Sequence, residues 1–309
     1  MKKQLMLLLL PLMVWVASCQ PAGDKDDRPL IVVTTGMIAD ATRAIVGEHA
    51  RVEALMGPGV DPHLYKATQG DLALLRSADI IVYNGLHLEG KMQEVFDQLA
   101  KSTTVFNLSD GLDTSQFIVT SLRNDLPTYD PHIWFDVALW SKAIDQLCPQ
   151  LCKAIGLDSC TESGLAYTER LHSLNQWVSD TLATIPDRNR VLITSHDAFE
   201  YFGRAYQFEV IGLQGISTAA EFGLKDITDM VNLISDRRIP AVFIESSVSE
   251  KSIRSVMQGC KSKGHDVALG GTLFSDAMGA EGTAEGTYPG MVRHNVMLLL
   301  HALQTSSTP

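Results

Sequence analysis

The sequence is poor in positive charge. Its 309 residues contain 25 lysines and arginines against 36 aspartates and glutamates, which gives a formal net charge of −11 at pH 7. Proteins that bind nucleic acid carry basic patches that neutralise phosphates. The shortage of basic residues therefore argues against nucleic-acid binding, and we expect no nucleic-acid partner.

The start of the chain lacks an apolar run long enough for a comfortable transmembrane helix, which takes about 20 residues. The run at residues 5–16 follows Lys2 and Lys3 and has the length of the hydrophobic part of a signal peptide. The stretch that follows, Val16-Ala-Ser-Cys19, resembles a bacterial lipobox. We predict a lipoprotein signal peptide over residues 1–18, a lipid anchor on Cys19 and a flexible tether over residues 19–28.

Cysteines are few, and none of them forms a CxxC pair. The four that follow Cys19 are Cys148, Cys152, Cys160 and Cys260. Without a CxxC pair, a zinc site built from four thiolates has no support. Because an exported protein meets an oxidising environment, we expect at least one disulfide, and the pairing stays open.

The rest of the chain alternates short β-branched runs with amphipathic stretches. Such an alternation favours a mainly parallel sheet with helices on both faces, and it occurs twice in the sequence. We predict an α/β fold with an N-terminal βα lobe over residues 29–160 and a C-terminal βα lobe over residues 187–309. Residues 111–128 are less regular, and residues 270–290 are rich in glycine.

One long helical pattern, over residues 161–186, separates the two lobes and is predicted to link them. Gly164 is its one internal weak point. The apolar stripe of this helix is predicted to contain Leu165, Leu171, Leu174, Trp177, Val178 and Leu182. Because a single helix joins the lobes, we expect a limited tilt between them instead of a wide hinge motion.

Three of the nine histidines lie at turn-like breaks beside extended backbone. His63 and His132 each end an Asp-Pro-His triplet, and His196 follows the apolar run at residues 191–194. Carboxyl ends of parallel strands line the ligand crevice of α/β folds. Asp276, just past the last predicted strand, can reach the same crevice. Imidazoles with a carboxylate suit a first-row divalent cation, so these four residues are predicted to bind one metal ion between the lobes.

Three further residues are candidates for a supporting role. Glu245 ends a predicted strand and is a possible extra ligand or an acceptor for a histidine N–H group. Asp136 and Trp134 follow His132 closely and are predicted to orient or shield it.

Several segments together resemble the metal-binding receptors of bacterial ABC importers for zinc and manganese, the TroA/PsaA/ZnuA-like family. The segments that carry the resemblance are Gly59-Val-Asp-Pro-His63, Asp130-Pro-His-Ile-Trp134, Thr194-Ser-His-Asp197, Gly215-Ile-Ser-Thr-Ala-Ala-Glu221, Phe243-Ile-Glu-Ser246 and Phe274-Ser-Asp276. They fall in the order of the family, and the similarity covers nearly all of the chain after the signal segment.

The resemblance implies one metal ion in the cleft between two lobes, with His63, His132, His196 and Asp276 as its ligands. It also implies an extracytoplasmic binding protein, tethered to the membrane through Cys19, that delivers the ion to an ABC permease, and we expect a monomer. Residues 111–128 lack the His-rich loop of many zinc-specific relatives, so the metal stays open between Zn²⁺ and Mn²⁺. Nitrogen donors favour zinc in the general affinity order, and we expect zinc on the purified protein.

Two alternatives follow from the same residues. A metallohydrolase needs an open metal position and a general base, for which Glu245 is the candidate. The sequence lacks an HExxH motif, and four available ligands favour binding over catalysis. A surface adhesin with a structural metal is the second alternative. Host-ligand binding that persists without metal would favour it.

Overall fold

The computed structural model describes residues 26–123, 126–159, 161–219 and 222–304. The predicted signal peptide and Cys19 lie outside these residues, as does most of the predicted tether. No helix among the described residues is long and apolar enough to span a bilayer.

The first lobe is built from βα units followed by a hairpin and a long helix. Its elements are β1 (Leu30–Val33), α1 (Gly36–Val46), β2 (Arg51–Ala54), α2 (Gln69–Ser77), β3 (Ile80–Tyr83), α3 (Gln93–Leu99), β4 (Thr104–Asn107), β5 (Val119–Arg123), β6 (Leu126–Tyr129) and α4 (Val137–Ala154). Strands β1 to β4 form one parallel sheet in the order β2-β1-β3-β4. The central strand β1 is buried along its length, which explains its apolar sequence.

The second lobe repeats the βα alternation after a linking helix. Its elements, with that helix first, are α5 (Glu162–Leu182), β7 (Val191–His196), α6 (Glu200–Tyr206), β8 (Glu209–Gln214), α7 (Leu224–Arg237), β9 (Ala241–Glu245), α8 (Lys251–Ser262), β10 (Ala268–Leu273) and α9 (Tyr288–Gln304). Strand β7 pairs with β8 and β9 with β10, both in parallel, and β7 lies beside β9. The predicted α/β fold with two lobes is confirmed.

Helix α5 lies within the predicted linking segment, residues 161–186, and the Thr161 side chain caps it by accepting the amide of Gly164 at 3.0 Å. It packs against α1 and α4 of the first lobe and against α9 of the second. Helix α5 therefore contacts both lobes along its length. The domain boundaries at residues 160 and 187 stay a prediction.

Two details differ from the predicted elements. The irregular residues 111–128 contain most of an antiparallel hairpin, β5 with β6. Strand β10 continues through Gly270 and Gly271 to Leu273, with a register shift between Leu269 and Gly271. The glycine-rich segment is therefore partly strand, and a bulge accommodates its glycines.

The cysteines lie on helices of both lobes. Cys148, on α4, is disulfide-bonded, and its partner lies outside the described residues. Cys152 and Cys260 are free and buried. The prediction of at least one disulfide is therefore confirmed.

Candidate metal centre

The four predicted ligands all lie at the carboxyl ends of strands. His63 follows β2, His132 follows β6, His196 is the last residue of β7 and Asp276 follows β10. All four are buried, with 6%, 0%, 0% and 2% of their surfaces exposed, respectively. The first two come from one lobe and the last two from the other, so the group lies between the lobes.

The side chains of these residues converge on one point. One donor atom from each lies within 4.8 Å of all the others. The Nε2 atoms of His63 and His132 are 3.2 Å apart, and the oxygens of Asp276 lie 3.5 Å from His132 Nε2 and 3.3 Å from His196 Nε2. Donors around a tetrahedral ion with bonds of about 2.0–2.1 Å are about 3.3 Å apart. The observed spacings therefore suit a tetrahedral divalent cation.

Several atoms in this group lack the partners that buried polar atoms normally have. Both carboxylate oxygens of Asp276 and the Nε2 atom of His196 have no hydrogen-bond partner among the described residues. Buried polar atoms without partners are costly. A cation at the centre of the group would satisfy all three.

Two carboxylates, those of Glu245 and Asp130, lie next to the Nδ1 atoms of two of the histidines. Glu245 Oε2 lies 2.6 Å from His196 Nδ1, and its Oε1 accepts the backbone amide of His196 at 2.8 Å. Asp130 Oδ1 lies 2.7 Å from His132 Nδ1 and accepts the amide of His132 at 2.8 Å. A carboxylate on Nδ1 fixes the proton there and leaves the Nε2 lone pair for a metal. Glu245 is not in the converging group, so its place is that of a supporting residue.

Asp130 is the supporting residue that the sequence analysis missed, since that role was given to Asp136. Asp136 instead caps α4 by accepting the amide of Leu139 at 3.0 Å. Trp134 lies against His132, and its ring meets the imidazole edge-on at a centroid distance of 5.3 Å. Its indole N–H also donates to the Ser275 carbonyl at 3.1 Å, next to Asp276.

The protonation of the site follows from burial and from these charges. Burial opposes a charge on His196, but the carboxylates of Glu245 and Asp276 outweigh it and hold its pKa well above the ordinary value. Burial also opposes a charge on Asp276, but the neighbouring histidines, His196 first, hold its pKa well below the ordinary range. Burial lowers the pKa of His63 to about 3. Without a metal, these two shifts favour a protonated His196 beside an ionised Asp276.

The remaining histidines lie elsewhere. His265 Nε2 bonds the Ile239 carbonyl at 2.8 Å, and His294 Nε2 bonds the Thr272 carbonyl at 3.2 Å. The described residues contain one group of three or more potential metal ligands, and it consists of the four residues above.

Known proteins resemble this chain over most of its length. The manganese-binding lipoprotein MntA of Bacillus subtilis is 46% identical over 286 residues, 92% of each chain. The zinc-binding protein TroA of Treponema pallidum is 46% identical over 280 residues, 90% of each chain. The solved structure of periplasmic zinc-binding protein TroA superposes with a TM-score of 0.84 and covers 89% of this chain and 99% of that one.

A family profile matches residues 31–302, and its description is zinc-uptake complex component A, periplasmic. That range contains both lobes, the linking helix and all four residues of the converging group. The chain therefore belongs to the ZnuA family of metal-binding proteins.

Proposed function

We propose that this protein captures one divalent transition metal ion outside the cytoplasm and delivers it to an ABC permease. The observation that carries the proposal is the buried group of three imidazoles and one carboxylate, whose donor atoms lie within 4.8 Å of one another. The relatives named above are a manganese-binding lipoprotein and a zinc-binding protein. Their names and this donor set point to the same kind of cargo.

His63, His132, His196 and Asp276 are the proposed ligands. Four protein donors complete a tetrahedral set and leave no open position for a reacting water, which distinguishes a binding site from a catalytic one. The carboxylate of Glu245, which a hydrolase would use as its base, is engaged with His196. The geometry therefore supports capture and release of the ion over hydrolysis.

The donor set also bears on which ion is bound. Three nitrogen donors and one oxygen donor favour Zn²⁺ over Mn²⁺ in the general order of affinities. We propose that zinc is the ion retained on the purified protein. The transported ion is zinc or manganese, because relatives named for each are equally similar in sequence at 46% identity.

The proposed place of action is extracytoplasmic, at a membrane that faces the periplasm or at the cell surface. A lipid on Cys19 would hold the protein there, as a monomer, within reach of its permease. The relatives MntA of Bacillus subtilis and PsaA of Streptococcus pneumoniae are named lipoproteins, which supports this arrangement. The adhesin alternative stays a prediction, since none of these observations bears on it.

Metal content tests the proposal directly. The untagged mature protein should contain about one equivalent of metal by elemental analysis, since the structure offers one converging group. His196→Ala should lose most of it, because the substitution removes one donor. The matched control is His172→Ala, which removes a histidine from the exposed side of α5 and should keep the parent's metal content.

Competition between zinc and manganese on the same samples then ranks the two ions. A parent protein that holds no metal, and takes up neither ion when it is added, would contradict the proposed function. Retention of a full equivalent by His196→Ala would contradict the ligand assignment.

A further inference from the structure

A buried carboxylate outside the metal centre holds the carboxyl ends of two central strands. Glu89 is 3% exposed, and three donors reach it. They are the Thr34 hydroxyl at 2.6 Å and the backbone amides of Asn84 at 2.9 Å and Gly85 at 3.3 Å. Thr34 follows β1 and Asn84 follows β3, so Glu89 ties together the ends of the strands beside the site.

Asn84 extends this network to the metal centre. Its side-chain amide, itself buried at 1% exposure, donates to the Gly85 carbonyl at 3.2 Å and to the Pro131 carbonyl at 3.0 Å. Pro131 directly precedes His132. A continuous series of hydrogen bonds therefore runs from Glu89 through Asn84 to the peptide that carries a proposed ligand.

The backbone of His132 is held on both sides. Asp130 accepts its amide at 2.8 Å, and Asn84 binds the carbonyl of the residue before it. The direction in which an imidazole leaves the backbone depends on the position of its peptide. Two fixed points therefore restrain His132 more than Asp130 alone would.

The turn next to Asn84 has an unfavourable backbone. Gly85, Leu86 and His87 have φ angles of 85°, 52° and 65°. Glycine adopts this left-handed region readily, whereas residues such as Leu86 and His87 rarely do. Strained residues persist where the surrounding structure holds them, and they concentrate near functional sites. Glu89 accepts the amides of Asn84 and Gly85, the two residues before Leu86, so this carboxylate fixes the start of the turn.

We propose that Glu89 and Asn84 are a positioning pair that places His132 for the metal ion. The inference rests on the proposed function and adds a role for two residues outside the converging group. Asn84 fixes the Pro131 peptide, and Glu89 fixes Asn84.

Two variants test the pair. Asn84→Ala removes the donor to Pro131 and keeps the backbone amide that Glu89 accepts. Glu89→Gln turns one acceptor oxygen into a donor that faces other donors. Each should weaken Zn²⁺ binding by about tenfold, at the lower end of what outer-sphere substitutions cost. Each should also change the visible absorption spectrum of the Co²⁺-substituted protein, because that spectrum reports the arrangement of the ligands.

The matched control is Asp79→Asn, at the opposite end of the same strands. Asp79 Oδ2 accepts the amide of Leu30 at 2.8 Å, so this variant disturbs β1 and β3 far from the cleft. It should lower the thermal stability and leave the zinc affinity and the cobalt spectrum of the parent unchanged. If Asp79→Asn changed the spectrum as much as Asn84→Ala does, Glu89 and Asn84 would support the fold in general and would have no specific role in positioning His132.

The outcomes separate this inference from the proposed function. If Asn84→Ala keeps the parent's zinc affinity and cobalt spectrum, the inference is wrong and the proposed function stands. If the parent binds neither zinc nor cobalt, both are wrong. Should Glu89→Gln fail to fold, Asn84→Ala decides alone.

Discussion

The three histidines of the metal centre have the same side chain but different surroundings. Glu245 lies behind His196 and Asp130 behind His132. Asp61 accepts the backbone amide of His63 at 2.9 Å, and no carboxylate among the described residues forms an ion pair with the Nδ1 atom of that ring. Two imidazoles are therefore fixed in ring orientation and proton position, while His63 is fixed through its backbone.

A testable consequence concerns protons. The pKa of His196 lies well above its ordinary value because Glu245 and Asp276 outweigh the effect of burial, which favours the protonated imidazole in the metal-free site. A metal ion needs the Nε2 lone pair, and binding should release about one proton from His196. Affinity should then fall as the pH falls below the raised pKa, by about tenfold per pH unit for one proton.

Glu245→Gln isolates this effect, since the amide keeps the shape of the carboxylate and loses its charge. The pKa of His196 should drop, and less than one proton should be released at pH 7. Zinc affinity should fall by about 10–100-fold, as for other outer-sphere substitutions. Calorimetry in buffers with different ionisation enthalpies measures the protons. Equal release by parent and variant would show that Glu245 does not control His196.

At this scale the four residues predicted as ligands converge in the structure, whereas not all of the carboxylates beside them were predicted. The three histidines could be found because each lies at a turn-like break beside extended backbone, and Asp276 because it lies just past a predicted strand of an α/β fold. Asp130 was missed although a signal existed. Both Asp-Pro-His triplets place an aspartate two residues before the histidine, and in both the aspartate accepts the histidine amide, as Asx turns do.

Among the elements, the two βα alternations and the long helix between them were predicted, because their apolar periodicity is strong. The hairpin β5–β6 was not predicted. Val119, Leu122 and Leu126 on it are exposed, so the alternation that marks a half-buried strand is absent. The strand at the start of residues 270–290 was not predicted because its glycines indicate a loop in sequence, whereas Gly271 pairs with Phe243 on β9.

The predicted apolar stripe of the linking helix α5 was wrong at its first residue, Leu165. Leu165 is 62% exposed, whereas Tyr167 is buried, and Gly164 is buried between helices. A Cβ atom at Gly164 would lie 3.2 Å from Ile45 Cα and 3.4 Å from Cys148 Sγ. Gly164, which was predicted to be a weak point of the helix, is therefore a place where α5 packs closely against α1 and α4.

Substitutions at these neighbouring positions should differ in how much they change the free energy of unfolding. Gly164→Leu should lower the free energy of unfolding of the metal-free protein by about 1–3 kcal/mol, the usual cost of overpacking. Leu165→Ala, one residue along, should change it by about 0.5 kcal/mol or less, because the side chain is exposed. Urea unfolding of both variants measures the difference. Equal losses would contradict the packing described for α5.

At the scale of the whole molecule, the two lobes share much of their interior. One apolar cluster contains Ile31 and Val82 of the first sheet together with Phe243 and Leu273 of the second. Polar contacts also join the lobes: the Tyr288 hydroxyl donates to the Trp134 carbonyl at 2.7 Å, and the Tyr288 amide donates to Asp40 at 3.1 Å. Wide separation would expose this shared apolar surface to water, so the lobes are expected to move little.

Spin labels on opposite lobes test the expected limited motion. Lys101→Cys and Lys225→Cys place them at exposed positions of the first and second lobe. Adding Zn²⁺ should shift the measured distance by less than the width of its distribution. The same labels in a His196→Ala background should show no response to zinc. A shift larger than that width in the parent would favour a hinge mechanism.

One more hydrogen bond joins loops of the two lobes, close in sequence to His63. The Thr218 hydroxyl of the second lobe donates to Asp61 Oδ2 of the first at 2.6 Å, two residues before His63. All four proposed ligands are buried. Because the ligands are buried, we expect an ion to exchange with solvent only when this link opens, so that opening would limit the rates of capture and loss. The protein would then retain its ion for a time set by the opening of this link, and a permease that breaks the link would determine when the ion leaves.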